Sequence, residues 1–290
     1  MQGTIIKGIG GFYYVQDGNE VYMGKARGKL KRNKQLLYVG DVVEYELNDA
    51  KDSTECIITG VLERNNFLSR PPVSNLEMLV VVFAAAHPEV NFPVIDKLIA
   101  ACEMRNIDVA VCITKKDMQE SHVVQNYIET YASVYPTVAV NSIKGDGISE
   151  FKEIIRGRNV ALAGPSGVGK STLLNAMLGE YSMETGSISE KTGRGRHTTR
   201  HVEIFALEDG TKIYDTPGFT SLDMEEIDIL DVDNLFPEFR ALKAGCKYSD
   251  CMHINEPECA VKEALEAGNI PETRYKSYLT MVEEVKSWQK

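Results

Sequence analysis

The chain has no hydrophobic run long enough to cross a bilayer: the longest, Met78 to Ala86, falls well short of the roughly 20 residues needed. The N-terminal MQGTIIKG also lacks the cationic and apolar regions of a secretory leader. These absences argue against membrane insertion and export, and a cytoplasmic protein is expected. A disulfide framework is missing too. Of six cysteines, Cys56, Cys102 and Cys112 stand singly in apolar surroundings, as buried free thiols do. There is no excess of positive charge, since 32 basic against 42 acidic residues give a net −10, which excludes indiscriminate nucleic-acid binding. The sum hides a local cluster, however: Lys25, Arg27, Lys29, Lys31, Arg32 and Lys34 fall within ten residues. No internal repeat or low-complexity tract occurs.

Three textures follow one another along the 290 residues. From Thr4 to about Arg70, TIIKGI, FYYV, EVYMGK, DVVEYEL and ECIITGVL are short β-branched and aromatic segments separated by Gly, Asp and Asn turns. They predict an all-β unit over 1–70, either an OB-like barrel or another small barrel. Arg70-Pro71-Pro72 reads as a linker. From 71 to 223, apolar strands (MLVVVFAAA, DVAVCIT, TVAV, NVALAG, TKIYDT) alternate with amphipathic helices, one opened by Phe92-Pro93 and another spanning Gln119 to Tyr135. This alternation predicts a doubly wound, mostly parallel α/β sheet. Residues 224–290 are acidic and helical, ending in a helix from Pro271 to about Gln289.

Between the strand NVALAG and the helix KSTLLNAML lies Gly164-Pro165-Ser166-Gly167-Val168-Gly169-Lys170-Ser171, with Thr172 following. It satisfies the P-loop pattern in the context that pattern requires. Its glycines let backbone N–H groups curl around phosphates at a helix N-terminus. Lys170 is placed to neutralise β- and γ-phosphates and Ser171 to ligate Mg²⁺. Asp215-Thr216-Pro217-Gly218 follows another strand, so Asp215 can hold Mg²⁺ and Gly218 can offer its N–H to the γ-phosphate. Thr114-Lys115-Lys116-Asp117 closes the strand DVAVCI. A carboxylate at Asp117 can accept both guanine donors, N1–H and the exocyclic amine, for which adenine has no equivalent pair. Lys115 can cover the base, and Asn141, Ser142, Ile143 and Lys144, after the strand TVAV, resemble a second base-side loop. A Thr at 114 replaces the commoner Asn and is expected to weaken either the anchoring of this loop or the affinity for nucleotide.

Gly193 to Arg200 is a basic, flexible segment suited to a switch loop, with Thr198 and Thr199 as Mg²⁺-sensing hydroxyls. Phe219 stands where many GTPases carry a water-positioning Gln, so slow intrinsic hydrolysis is expected, with His197 orienting the water. Cys246, Cys251, His253 and Cys259 form C-x4-C-x-H-x5-C, the composition of a closed structural zinc site. The competing readings of these four residues are a redox cluster or a chance grouping.

The base-reading sequence precedes the phosphate loop, the reverse of the usual GTPase order. In that order, TKKD, NSIKGDG, GPSGVGKSTLLN, GRHTTR, DTPGF and the Cys/His cluster resemble the ribosome small subunit-dependent GTPase A family, which is circularly permuted. The likeness spans nearly the whole chain and includes the terminal RYKSYLTMVEE. It implies an OB-fold, a permuted GTPase domain and a zinc-binding helical domain, with GTP or GDP, Mg²⁺ and one Zn²⁺ as cofactors. It further implies GTP hydrolysis stimulated by the small ribosomal subunit, and a role in that subunit's late maturation through its rRNA. A monomer working alongside other assembly factors is expected, and no membrane partner. The alternatives are an RNA scaffold that holds nucleotide with negligible turnover, and a P-loop ATPase, against which TKKD argues.

Overall fold

Period-two alternation closes the N-terminal strands on themselves. These are β1 (Gln2–Ile9), β2 (Phe12–Asp17), β3 (Glu20–Ala26), β4 (Val42–Leu47) and β5 (Glu55–Val61). In β4, Val43 and Tyr45 are buried between exposed Glu44 and Glu46, and in β5, Cys56 and Ile58 flank exposed Ile57. Each strand thus offers one apolar face. Antiparallel pairs β1–β2, β2–β3, β4–β5 and β1–β4, with a parallel β3–β5 pair, make the closed ring β1-β2-β3-β5-β4. This five-stranded Greek-key closure decides for an OB-like barrel. Register shifts at Ile5/Lys7 and Glu44/Tyr45 supply the bulges that bend the strands. Ile5, Val15, Val43, Tyr45 and Ile58, each no more than 1% exposed, fill the interior.

The computed structural model describes residues 1–28, 30, 36–48, 54–69, 71–185, 202–215 and 227–288. They belong to two compact units. One comprises Met1–Met78, Ile155–Leu162 and Leu178–Phe219, the other Leu79–Ile154, Ala163–Met177 and Thr220–Lys290. The remaining strands are β6 (Phe67–Ser69), β7 (Pro72–Ser74), β8 (Met78–Ala84), β9 (Asp108–Thr114), β10 (Thr137–Ala139), β11 (Asn159–Ala163), β12 (Glu203–Ala206) and β13 (Lys212–Asp215). The helices are α1 (Phe92–Glu103), α2 (Ser121–Ala132), α3 (Ile148–Ile155), α4 (Lys170–Thr185), α5 (Pro237–Arg240), α6 (Ala260–Glu266) and α7 (Glu272–Trp288).

In the first unit the sheet continues beyond the barrel. β1 pairs with β12 (Lys7↔Glu203, reinforced by an ion pair of 2.9 Å), β12 with β13, and β13 runs parallel to β11. A fully buried carboxylate, Asp41, knits this unit together: it accepts from Tyr38 N, Arg64 Nε and Nη2 and Ser74 Oγ at 2.6 to 2.8 Å. Tyr214 on β13 donates to the carbonyl of the same Ser74 at 3.1 Å. Gly40 sits under these groups with φ +99, where a Cβ would lie 2.2 Å from Ser74 O. The linker expected around Pro71-Pro72 is instead the turn and first strand residue of the β6–β7 hairpin, whose Val73 and Ser74 are buried. Proline is tolerated at the start of an edge strand because no ladder N–H is required there.

In the second unit the strands lie in the order β10-β9-β8, with β9 and β10 parallel. Every residue of β8 is buried, as the dense apolar run predicts. Helix α1 starts at Asn91, whose side chain caps Val94 N, and buries Ile95, Leu98, Ile99 and Cys102 at helical spacing. Helix α7 docks through a buried charge cluster. Arg274, fully buried, pairs with Asp96 of α1 at 2.7 Å and with both oxygens of Glu238 at 2.7 and 3.1 Å, while Tyr131 donates to Asp96 at 3.0 Å. Burial works against the guanidinium's charge, but Asp96 and Glu238 outweigh it and hold its pKa above the usual value. No helix among the described residues is long and apolar enough to cross a membrane.

Candidate functional site

The phosphate loop joins β11 to α4 by the route its sequence dictates. Gly164 has φ +146, and a Cβ there would come within 2.0 Å of Val82 O, so only glycine permits the turn. Lys170, at the start of α4, donates through Nζ to Gly164 O at 2.7 Å and Pro165 O at 2.9 Å. Burial lowers its pKa from the ordinary lysine value. The ammonium is therefore held over the loop by carbonyls, a position from which a phosphate oxygen can recruit it. Val168 is buried and anchors the loop, whereas Ser166, Gly167, Ser171 and Thr172 are exposed.

The base-reading loop leaves the C-terminal end of β9 in the same unit and touches the phosphate loop directly. Thr114, 1% exposed, hydrogen-bonds through its hydroxyl to Val168 O and to Phe83 O, the latter at 3.2 Å. Lys115, with φ +55, donates to Gly167 O at 2.8 Å and also to His87 O. The threonine thus makes the tie to the phosphate loop that its departure from Asn was expected to weaken. Asp117 lies exposed in the following 3₁₀ turn, and Lys116 pairs with Asp146 at 2.8 Å. The loop after β10 is set by Asn141, 4% exposed, whose side-chain oxygen accepts from Ile143 N and Lys144 N at 3.1 Å each. Ser142 is half-buried, while Ile143 and Lys144 are exposed.

A second constellation forms in the C-terminal part of the chain. The ligand atoms of Cys246, Cys251, His253 and Cys259 all lie within 4.8 Å of one another. His253 Nδ1 is 3.3 Å from Cys259 Sγ and 3.6 Å from Cys246 Sγ, and those two sulfurs are 3.9 Å apart. A tetrahedral zinc with bonds of about 2.3 Å to sulfur and about 2.0 Å to nitrogen needs separations of roughly 3.5 Å and 3.8 Å. The separations among Cys246, His253 and Cys259 match that spacing, and the free thiols of Cys246 and Cys259 are far from disulfide length. Burial pushes the Cys251 thiol up to about 12, and a divalent cation would supply the charge that thiolates require there. His253 is fully buried, and its Nε2 faces Asp233 Oδ2 at 3.1 Å. Burial opposes the charge of Asp233, but hydrogen bonds from His253 and Lys243 leave its carboxyl below the usual range.

Comparison with known proteins assigns the chain to a family. A family model described as RsgA GTPase matches residues 61–225, and one described as RsgA N-terminal domain matches residues 2–55. The chain belongs to the RsgA GTPase family. The protein named small ribosomal subunit biogenesis GTPase RsgA in Caldanaerobacter subterraneus subsp. tengcongensis is 42% identical over 293 residues, covering 100% of this chain and 97% of its own. Among solved structures, YjeQ from Thermotoga maritima superposes with a TM-score of 0.82 at 34% identity, covering 98% of each chain. YloQ, described as a circularly permuted GTPase, gives 0.80 at 34% identity, covering 99% of this chain and 95% of that one. Membership in the RsgA GTPase family makes the chain a GTP hydrolase of permuted fold and implies GTP, GDP and Mg²⁺ as its ligands.

Of the residues expected to act in this RsgA-type site, Thr114 to Asp117 and Gly164 to Thr172 are brought together in one unit, with Ser142 to Lys144 in the same unit. Asp215 is the half-buried last residue of β13, in the other unit. His197, Thr198, Thr199, Gly218 and Phe219 lie outside the described residues, as do Lys29, Lys31, Arg32 and Lys34 of the basic cluster. Sequence reasoning placed Asn141 only as the first residue of the second base-side loop, and gave no role to Asp233 or Arg274. Asn141 had a usable signal, an Asx residue two and three positions before the N–H groups it binds. Asp233 and Arg274 had none, because their partners are 20 and 178 residues away.

Proposed function

We propose that this chain hydrolyses GTP under stimulation by the small ribosomal subunit, and that it acts in late maturation of that subunit through nucleotide-dependent binding to its rRNA. The observation that carries the guanine-nucleotide part is the double tie, through Thr114 and Lys115, of the base-reading loop to the phosphate loop. It leaves Asp117 and Lys170 on loops that are in contact, as one nucleotide requires. The relatives named for small-subunit biogenesis, similar over the full chain, support the ribosomal part.

In this reading the N–H groups of Gly164 to Ser171 and the Lys170 ammonium hold the phosphates, and Thr172 continues the same helix start. Asp117 accepts the guanine donors, Lys115 covers the base, and Ser142 to Lys144 close its edge. Ser171 and Asp215 hold Mg²⁺, which neutralises phosphate charge during transfer. Gly218 donates to the γ-phosphate, Thr198 and Thr199 sense it, and His197 orients the water in place of a glutamine. Cys246, Cys251, His253 and Cys259 hold one structural Zn²⁺. The working division is 1–70, an RNA-binding barrel; 71–223, the GTPase; and 224–290, the zinc module. On the barrel, exposed Lys25 lies 4.3 Å from the Phe12 ring centroid, a basic and aromatic pairing suited to RNA. The protein works as a cytoplasmic monomer beside other assembly factors.

Multiple-turnover GTPase rates with small subunits, with large subunits and with neither test the proposal. Stimulation by small subunits alone is expected, as is tighter binding of the GTP-analogue form than of the GDP form to them. Equal rates in all three mixtures would refute the ribosomal assignment. His197→Ala should lower stimulated turnover, and unchanged basal and stimulated rates would remove that residue from the mechanism.

A further inference from the structure

We infer that Asp233 is a positioning residue of the metal centre: by holding Nε2 of His253, it commits Nδ1 to the three cysteines. The inference rests on the zinc reading of the cluster and adds to it a residue outside the C-x4-C-x-H-x5-C sequence. A neutral imidazole carries one proton. If that proton sits on Nδ1, the nitrogen facing the thiols cannot ligate a metal; if it sits on Nε2, Nδ1 is free to do so. Which tautomer forms is set by what the other nitrogen meets. Here it meets only one described hydrogen-bond partner, the carboxylate of Asp233 at 3.1 Å, itself 4% exposed.

Three features make this contact a fixed one. The ring of His253 is fully buried and packed edge-on against Phe239 and beside Tyr278, with centroids 6.1 and 6.2 Å away, so water does not compete for Nε2. The backbone around the ring is anchored as well: Tyr275 donates to His253 O at 2.7 Å and Tyr278 to Met252 O at 2.6 Å. Asp233 in turn is held by Lys243 at 2.8 Å. Lys243 begins the turn that delivers Cys246, so one chain of contacts, Lys243–Asp233–His253, links the start of the ligand loop to its middle. Carboxylate partners of this kind orient a ligating histidine and raise its basicity.

The test is zinc affinity of the full-length protein, measured by competition with a chromogenic chelator. Asp233→Ala should weaken zinc binding about 10- to 100-fold, and Asp233→Asn, which keeps an acceptor oxygen without the charge, should lose less. Thermal unfolding of the metal-free proteins separates positioning from packing: the metal-free Asp233→Ala protein should unfold close to metal-free wild type, with the difference opening only when zinc is present. Wild-type affinity in Asp233→Ala would overturn the inference, as would an equal loss of stability in the metal-free and zinc-loaded forms. If wild-type protein itself takes up no zinc while Cys246→Ser behaves identically, the zinc reading fails rather than the role of Asp233.

Discussion

The barrel and the C-terminal module are both small, yet they are held together by opposite means. The barrel closes a ring of strands over an apolar interior of Ile5, Val15, Val43, Tyr45 and Ile58. Among its described residues Asp41 is a fully buried carboxylate, with its oxygens satisfied by four donors. From Ile229 onward, short 3₁₀ turns and helices converge on buried polar groups: the Cys/His cluster, Asp233 and Arg274. A closed sheet satisfies its own backbone and can rely on transfer of apolar area from water. A set of short helical pieces cannot, and needs fixed points contributed by specific side chains.

Metal removal should break this contrast most sharply. Chelation is expected to abolish amide-exchange protection through the residues around Cys246 to Ile270 while protection in β1 to β5 persists; uniform loss across the chain would mean that the two regions share one stability. Next in size, Arg274→Ala strands Asp96 and Glu238 in the interior and should cost about 3–5 kcal/mol in denaturant unfolding. Replacing the three charged groups together with apolar residues should recover most of that loss. The barrel counterpart is milder. Asp41→Ala leaves Arg64, whose side chain keeps 19% exposure and can reach water, so about 1–3 kcal/mol is expected by the same measurement.

The nucleotide loops stand between these extremes, held by side-chain bonds to backbone carbonyls. Thr114→Val keeps the shape but removes the hydroxyl bonded to Val168 O, and should weaken binding of a fluorescent GDP analogue by about 1–2 kcal/mol, roughly tenfold. The smallest effect is assigned to Glu256. Burial would raise the pKa of its carboxyl, but N–H groups of Met252, Ile254 and Asn255 bond to it and bring it below the usual value. Its contribution is therefore present above the unfolded value of about 4.3 and lost as pH falls through the folded value. The stability gap between wild type and Glu256→Gln should stay constant from neutral pH down to the unfolded value of about 4.3, and close as pH falls from there through the folded value.

How much of this was legible follows the same division. Contiguous motifs carried their own geometry: GPSGVGKS joins a strand to a helix, TKKD closes a strand against that loop, the four Cys/His ligand atoms lie within 4.8 Å of one another, and the alternation in β4 and β5 announced one inward face. The barrel's connectivity was open until the β3–β5 and β1–β4 pairings closed it. Pro71-Pro72 suggested a linker because proline commonly breaks elements, but the buried Val73 and Ser74 recruit the segment into a hairpin. The long-range braces were invisible for a physical reason: a lone Asp or Arg in a polar stretch looks like solvated surface until its distant partner is placed. Thr114 was read only as a departure from Asn, because the carbonyls its hydroxyl meets, on Phe83 and Val168, come from distant parts of the chain.

One strand bears two obligations at once. β1 takes β2 and β4 as neighbours within the ring and β12 at its other reach, so the hairpin ending in Asp215 grows from the barrel wall itself. Anyone excising the first seventy residues to make a separate barrel fragment would therefore strip a partner from β12 and leave an unpaired edge on the remainder. A cleaner dissection would carry Glu203 to Asp215 along with the barrel, grafting that hairpin onto the fragment's end.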